Sequence, residues 1–160
     1  MAIYINMKQT TKVRLIIFQI LVEIYKKNRN FDEVFEFEVL KNNLEGKDKS
    51  FIFNVCLNTM RYNLHSKNII NKFVKKKLKT SQFILLSSAV TQIVFLNIKP
   101  YGVVNETVEV SKTIGLFPAF INAVLNKVSK EKNILKEIKV FKKIYLFGFR
   151  KNLKIRITLT

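Results

Sequence analysis

An all-α fold of about seven helices is what this sequence predicts, and three observations predict it. Apolar residues recur at intervals of three and four through most of the chain, the period of a helix face and not of a strand. The breaks between these runs are short, as expected for helices that pack on their neighbours. No strand-dominated stretch occurs before Lys139. With 160 residues and 48% hydrophobic content, the chain is long and apolar enough for one domain with a real core. The expected organisation is a helical domain over 8–138 and a basic tail over 139–160.

The first helix is expected over 11–27, capped by Thr10 or Thr11. Val13, Ile16, Ile17, Ile20, Leu21 and Ile24 form its apolar stripe, with Lys12, Arg14, Lys26 and Lys27 off it. A shorter helix covers 32–40, with Asp32 near its start. After the polar stretch KNNLEGKD, Asp48 is a candidate N-cap for a third helix. That helix turns Phe51, Ile52, Val55, Cys56, Thr59 and Met60 inward and ends at Arg61 and Tyr62. A fourth helix is expected over 66–78. It would end in Lys75, Lys76, Lys77 and Lys79, where cations favour a helix C-terminus. Residues 80–98 carry no charge, which approaches the length of a membrane span. Thr80, Ser81, Gln82, Ser87, Ser88, Thr91, Gln92 and Asn97 interrupt the stretch, so a fifth helix buried on most sides is expected instead. Pro100 stops it. Two further helices then fall within PYGVVNETVEVSKTIGLFPAFINAVLNKV, divided by Gly115 and Pro118 in the usual order of glycine after one helix and proline opening the next. Beyond Lys139 the pattern changes, and residues 153–160, LKIRITLT, alternate like a strand.

The net charge is +18, from 29 Lys and Arg against 11 Asp and Glu. Such a balance directs the chain toward polyanions, nucleic acid first and an anionic membrane surface second. A genome whose base composition favours lysine codons accounts for the same excess. Cys56, the one cysteine, can form no internal disulfide and lies on an apolar helix side, the place of a small buried hydrophobe. His65 has no second His or Cys near it, so no metal site is expected. No cofactor motif is present, and the N-terminus lacks the form of a signal peptide. A cytoplasmic protein with no membrane attachment is the expectation.

Four segments share an order with one family. TKVRLIIFQILVEIY resembles its basic-then-apolar first helix. DKSFIFNVCLNTMRY places Asp48 and Arg61 at matching positions. VTQIVFLNIKP resembles the helix before its proline, and NETVEVSK with FINAVLNKV resembles its last two helices. On these residues the chain is similar to the NusB-like RNA-binding domain. That domain stands alone in the NusB antitermination factor and forms the N-terminal module of RsmB-type rRNA 5-methylcytosine methyltransferases. Tyr101, Gly102, Val103 and Val104 depart from the methyltransferase branch, as do Asn126 and Lys127. The resemblance implies RNA binding by the basic N-terminal region, either in antitermination beside a small ribosomal protein or in rRNA docking for a methyltransferase, in one chain or supplied by a separate one.

The residues themselves show no catalytic set. There is no HExxH, no P-loop, no Ser-His-Asp arrangement and no Gly-rich loop for S-adenosylmethionine. An enzyme is not expected. Asn105, Glu106 and Glu109 cluster on one turn, read either as paired carboxylates or as first-turn capping. The candidate RNA-binding residues are Lys8, Lys12 and Arg14, extended by Arg61 and by Lys75, Lys76, Lys77 and Lys79. Tyr25, Tyr62 and Tyr101 are candidates for base stacking or for packing, and Asn122 for helix packing. The rival reading is a helical protein-interaction module whose charge is compositional.

Overall fold

A computed structural model describes residues 7–137. Among these residues every regular element is helical. The elements are α1 (Gln9–Lys27), α2 (Phe31–Asn42), α3 (Gly46–Arg61), α4 (Asn63–Phe73), α5 (Thr80–Val90), a π-helical turn continuing it (Thr91–Phe95), α6 (Pro100–Thr113) and α7 (Pro118–Lys136). The basic tail, its strand-like end and the boundary at 138 lie outside the described residues.

Helix ends follow from local chemistry. Glycine is scarce, with four in the chain, so asparagine takes the left-handed position that closes several helices. Asn28, Asn43 and Asn97 all have φ near +50°. At the end of α1 the Arg29 amide reaches back to the Glu23 carbonyl at 3.3 Å. After α2 the Leu44 amide bonds the Val39 carbonyl at 3.0 Å and buries its side chain. Gly115 (φ 71°) plays the same part after α6, where the Leu116 amide meets the Ser111 carbonyl at 2.8 Å. Pro100 and Pro118 each occupy the first turn of the helix that follows.

Several expected boundaries move. α1 begins two residues earlier than expected, at Gln9, with Lys8 and not Thr10 or Thr11 at the N-cap and no side-chain bond there. α3 starts at Gly46, so Asp48 lies in its first turn and does not cap it. α4 stops at Phe73 because Val74 turns extended (φ −121°, ψ 115°). Lys75 to Lys79 therefore form a loop, and the helix-dipole argument for them does not apply. α6 starts at Pro100, which places Asn105 and Glu106 in its second turn and removes their first-turn capping role.

The core centres on α1 and α5. Leu15 through Phe18, Ile20 and Leu21 are buried on α1, and every residue from Ile84 to Val94 is buried on α5 and the π turn. α5 packs against α1, α3, α4, α6 and α7, whereas α2 rests mainly on α1. Each fully buried Ile or Leu contributes roughly 1.5–3 kcal/mol of transfer free energy. Three polar side chains on the central helix return hydrogen bonds to its own backbone: Ser88 to the Leu85 carbonyl, Thr91 to Ser87 and Gln92 to Ser88, at 2.9, 2.9 and 3.2 Å. Cys56 is fully buried, and burial pushes its thiol pKa up. Among the described residues no helix is long and apolar enough to cross a membrane.

Candidate nucleic-acid interface

α1 determines where the candidate cations lie. At its start, Gln9 bonds Asp48 at 2.7 Å and brings the first turn of α3 alongside. Lys47 and Lys49, on either side of Asp48 in the first turn of α3, therefore come toward Lys8 and Lys12; sequence reading placed Lys47 in a polar loop and Lys49 at the start of the helix after it. At the other end of α1, Lys26 donates to the Ser81 hydroxyl at 2.7 Å. The loop holding Lys75, Lys76, Lys77 and Lys79 enters α5 there. From Lys12 to Lys26 the helix rises about 21 Å, so the predicted residues divide into two basic surfaces. Arg61 belongs to neither. It ends α3 beside Tyr62, and its Nη1 is 3.4 Å from Asn58 Oδ1.

The two surfaces share one property. Ion pairs neutralise Lys27, Lys41, Lys72 and Lys112 through Glu23, Glu38, Glu131 and Glu109. Lys8, Lys12, Lys47, Lys49 and the four loop lysines make no ion pair with any described residue. Lysines held in no ion pair leave their charge available to phosphate.

Arg14 is not part of the outer layer. Its guanidinium lies over the Phe51 ring, 5.6 Å from the centroid, and Nη1 donates to the Thr10 carbonyl at 3.2 Å. Burial lowers its pKa and the nearby Glu106 charge opposes that shift. Glu106 in turn accepts from the Thr11 hydroxyl. Thr11, predicted as a cap, is thus a buried tie between α1 and α6.

Beside Lys8 these helices leave an open cleft of about 670 Å³, lined by Thr11, Asn105, Glu106, Glu109 and Asn122 among others. A smaller depression shares Asn105 and Asn122 and extends the cleft to Tyr101 and Asn126. Asn122 is exposed and accepts from Asn126 at 3.1 Å, so it is not the packing residue expected. The tyrosines separate as well. Tyr25 is half-buried against the core, and Tyr62 stacks on Phe95 at 4.1 Å, while Tyr101 is 81% exposed. Among the described residues no group of His, Cys, Asp and Glu could hold a metal ion. The missed signal in the sequence was the four-residue spacing of Tyr101, Asn105, Glu109 and Thr113, a polar stripe opposite the buried Val103, Thr107 and Val110.

The fold matches known proteins. The model of the NusB family matches residues 11–130. A crystal structure of the antitermination factors NusB and NusE with double-stranded RNA contains a chain of the same fold. It has 23% identity and a TM-score of 0.68, over 78% of this chain and 98% of that one. A chain in the crystal structure of a plectonemic RNA supercoil gives 23% and 0.69, over 78% and 96%. A NusB from T. maritima gives 19% and 0.68, over 78% and 92%. No curated protein sequence matches the chain.

Proposed function

Because the chain belongs to the NusB family, we propose that it binds RNA and works in antitermination-type control of transcription, with a small ribosomal protein as a second partner. The observation that carries this reading is the pair of unneutralised basic surfaces at the two ends of α1. Lys8 and Lys12 contact phosphate directly beside the cleft. Arg14 stiffens that corner from within. Lys75, Lys76, Lys77 and Lys79 add a second phosphate-binding stretch, and Arg61 a more isolated contact. The structural neighbours support the partner classes, since one of them holds NusB with NusE and RNA. Docking of rRNA for a methyltransferase asks the same of the scaffold, a rigid bundle presenting cations, and is the finer alternative.

The test is an RNA titration at two salt concentrations with Lys12→Glu and Lys77→Glu variants. Affinity that falls steeply with salt, and further with each reversal, supports RNA binding. Affinity indifferent to both reversals favours the protein-interaction reading and a compositional origin of the charge.

A further inference from the structure

The cleft beside Lys8 has the wrong charge for phosphate. Glu106 and Glu109 both line it, and a carboxylate repels a phosphodiester at contact distance. What the cleft offers is a row of hydrogen-bonding groups on a firm frame. Tyr101, Asn105 and Glu109 succeed one another at four-residue intervals on one side of α6, about 6 Å apart along the axis. Asn122 and Asn126 face them from the first turns of α7. The Thr11 hydroxyl ties α1 to Glu106 on α6, and within α7 the Asn126 amide is oriented by its bond to Asn122.

We propose that this α6–α7 groove receives unpaired nucleobases of the bound RNA, with Glu109 and Asn105 reading a guanine and Tyr101 stacking on its neighbour. The inference rests on the RNA-binding reading above and deepens it.

Hydrogen-bond chemistry selects the base. A carboxylate only accepts. Guanine presents two adjacent donors on its pairing edge, the ring N1–H and the exocyclic amine, which match two carboxylate oxygens. Cytosine and adenine set an acceptor nitrogen beside their amino group, and uracil flanks its single N–H with two carbonyl oxygens. Each of these places a lone pair against the carboxylate. Glu109 is suited to the task. Its Oε1 is bonded to Lys112 at 2.6 Å, its Oε2 is uncommitted among described residues, and its side chain is 54% exposed. Glu106 is already committed to Thr11 and faces Arg14. An exposed tyrosine at the groove's end suits stacking, which every base accepts. Lys8 on the near rim holds the backbone outside the acidic floor.

Fluorescence anisotropy with three labelled RNA 12-mers tests this: all-uridine, the same with one central guanosine, and the same with inosine, which lacks the exocyclic amine. The guanosine oligomer is expected to bind about tenfold tighter than the other two. Glu109→Gln should erase that preference, and Tyr101→Ala should weaken all three oligomers by a similar factor. A Lys8→Ala/Lys12→Ala double variant should weaken all three while keeping their order. Equal affinity for guanosine and inosine oligomers, or a preference that survives Glu109→Gln, overturns the base-reading site and leaves RNA binding standing. Tighter binding of a central cytidine overturns the guanine assignment. Affinity indifferent both to the Lys8/Lys12 change and to added salt removes the RNA reading itself, and the base-reading site with it.

Discussion

The two basic surfaces at the ends of α1 carry similar charge and are built differently. At the start of the helix, Lys8 stands on the rim of a cleft with amide and carboxylate walls, and an arginine is folded inward over Phe51. At its end, four lysines stand on a loop pinned by the buried Val74, the half-buried Leu78 and the Lys79 amide's 3.0 Å bond to Gln82. The first surface has shape and mixed polarity, so it can distinguish one RNA from another. The second has charge alone, which attracts any polyanion equally. On the reading proposed above, discrimination would be a property of α6 and α7 meeting α1, and not of where lysine is densest.

The largest difference between the surfaces should be in stability. Arg14→Ala removes a half-buried cation and its packing on Phe51, so urea unfolding should show a loss of about 1–2 kcal/mol. Lys76→Ala on the loop should stay within about 0.5 kcal/mol. Equal costs would mean that Arg14 belongs to the surface after all. Next comes salt dependence. Replacing Lys75, Lys76, Lys77 and Lys79 with alanine should shrink the slope of log K against log salt by up to about 2.8 on single-stranded RNA, at about 0.7 per phosphate contact. The ratio of affinities between two RNAs should not change. If that ratio moves, the loop reads more than charge.

Much of the fold was legible because its signals are local. Pro100, Gly115 and Pro118 act on their own turns, and the apolar period of α1 and α3 needs no partner to be seen. The end of α4 was not legible, because Leu78 continues the helical spacing and only tertiary burial shows it docking from an extended loop. The site was half legible. Lys8 and Lys12 could be named from charge. Asn105, Glu109 and Asn122 could be picked out, as a carboxylate or capping cluster and a packing residue, but not joined into one site, since their shared cleft exists only when α7 folds back on α6. Arg14 looked like another surface cation because sequence does not reveal that Phe51 lies beneath it.

A smaller effect tests the tie between α1 and α6. Thr11→Val keeps the shape and removes the bond to Glu106, which should cost about 1 kcal/mol in thermal or urea unfolding. It should loosen the cleft side and leave the lysine loop's salt response alone. The smallest expected effect belongs to neither surface. His65 lies edge-on to Tyr62 and Phe95, and burial lowers its pKa. A histidine whose folded pKa is depressed leaves the unfolded chain holding more protons. Its contribution is intact above the ordinary histidine pKa and is lost as the pH falls through it. Melting curves at pH 7.5 and 5.5 should therefore show a slightly lower melting temperature at the acidic pH, and His65→Gln should reduce that difference.

The π turn at Thr91–Phe95 also has a bearing on how the family's chains can change length. There the Leu96 amide bonds the Thr91 carbonyl five residues back, at 3.0 Å, so one residue more than an α-helix needs is held within the turn. Each residue of an α-helix advances the azimuth by about 100°. A π turn spreads five residues over about the angle that four occupy in an α-helix, so deleting Ile93 would let the turn relax to α-helical pitch with the downstream phase nearly kept. Pro100 would hold its register against the core, and Tyr101, Asn105 and Glu109 would stay in line with α7. The turn acts as stored slack in the frame of the groove, and losing one residue between Thr91 and Phe95 should be better tolerated than gaining one.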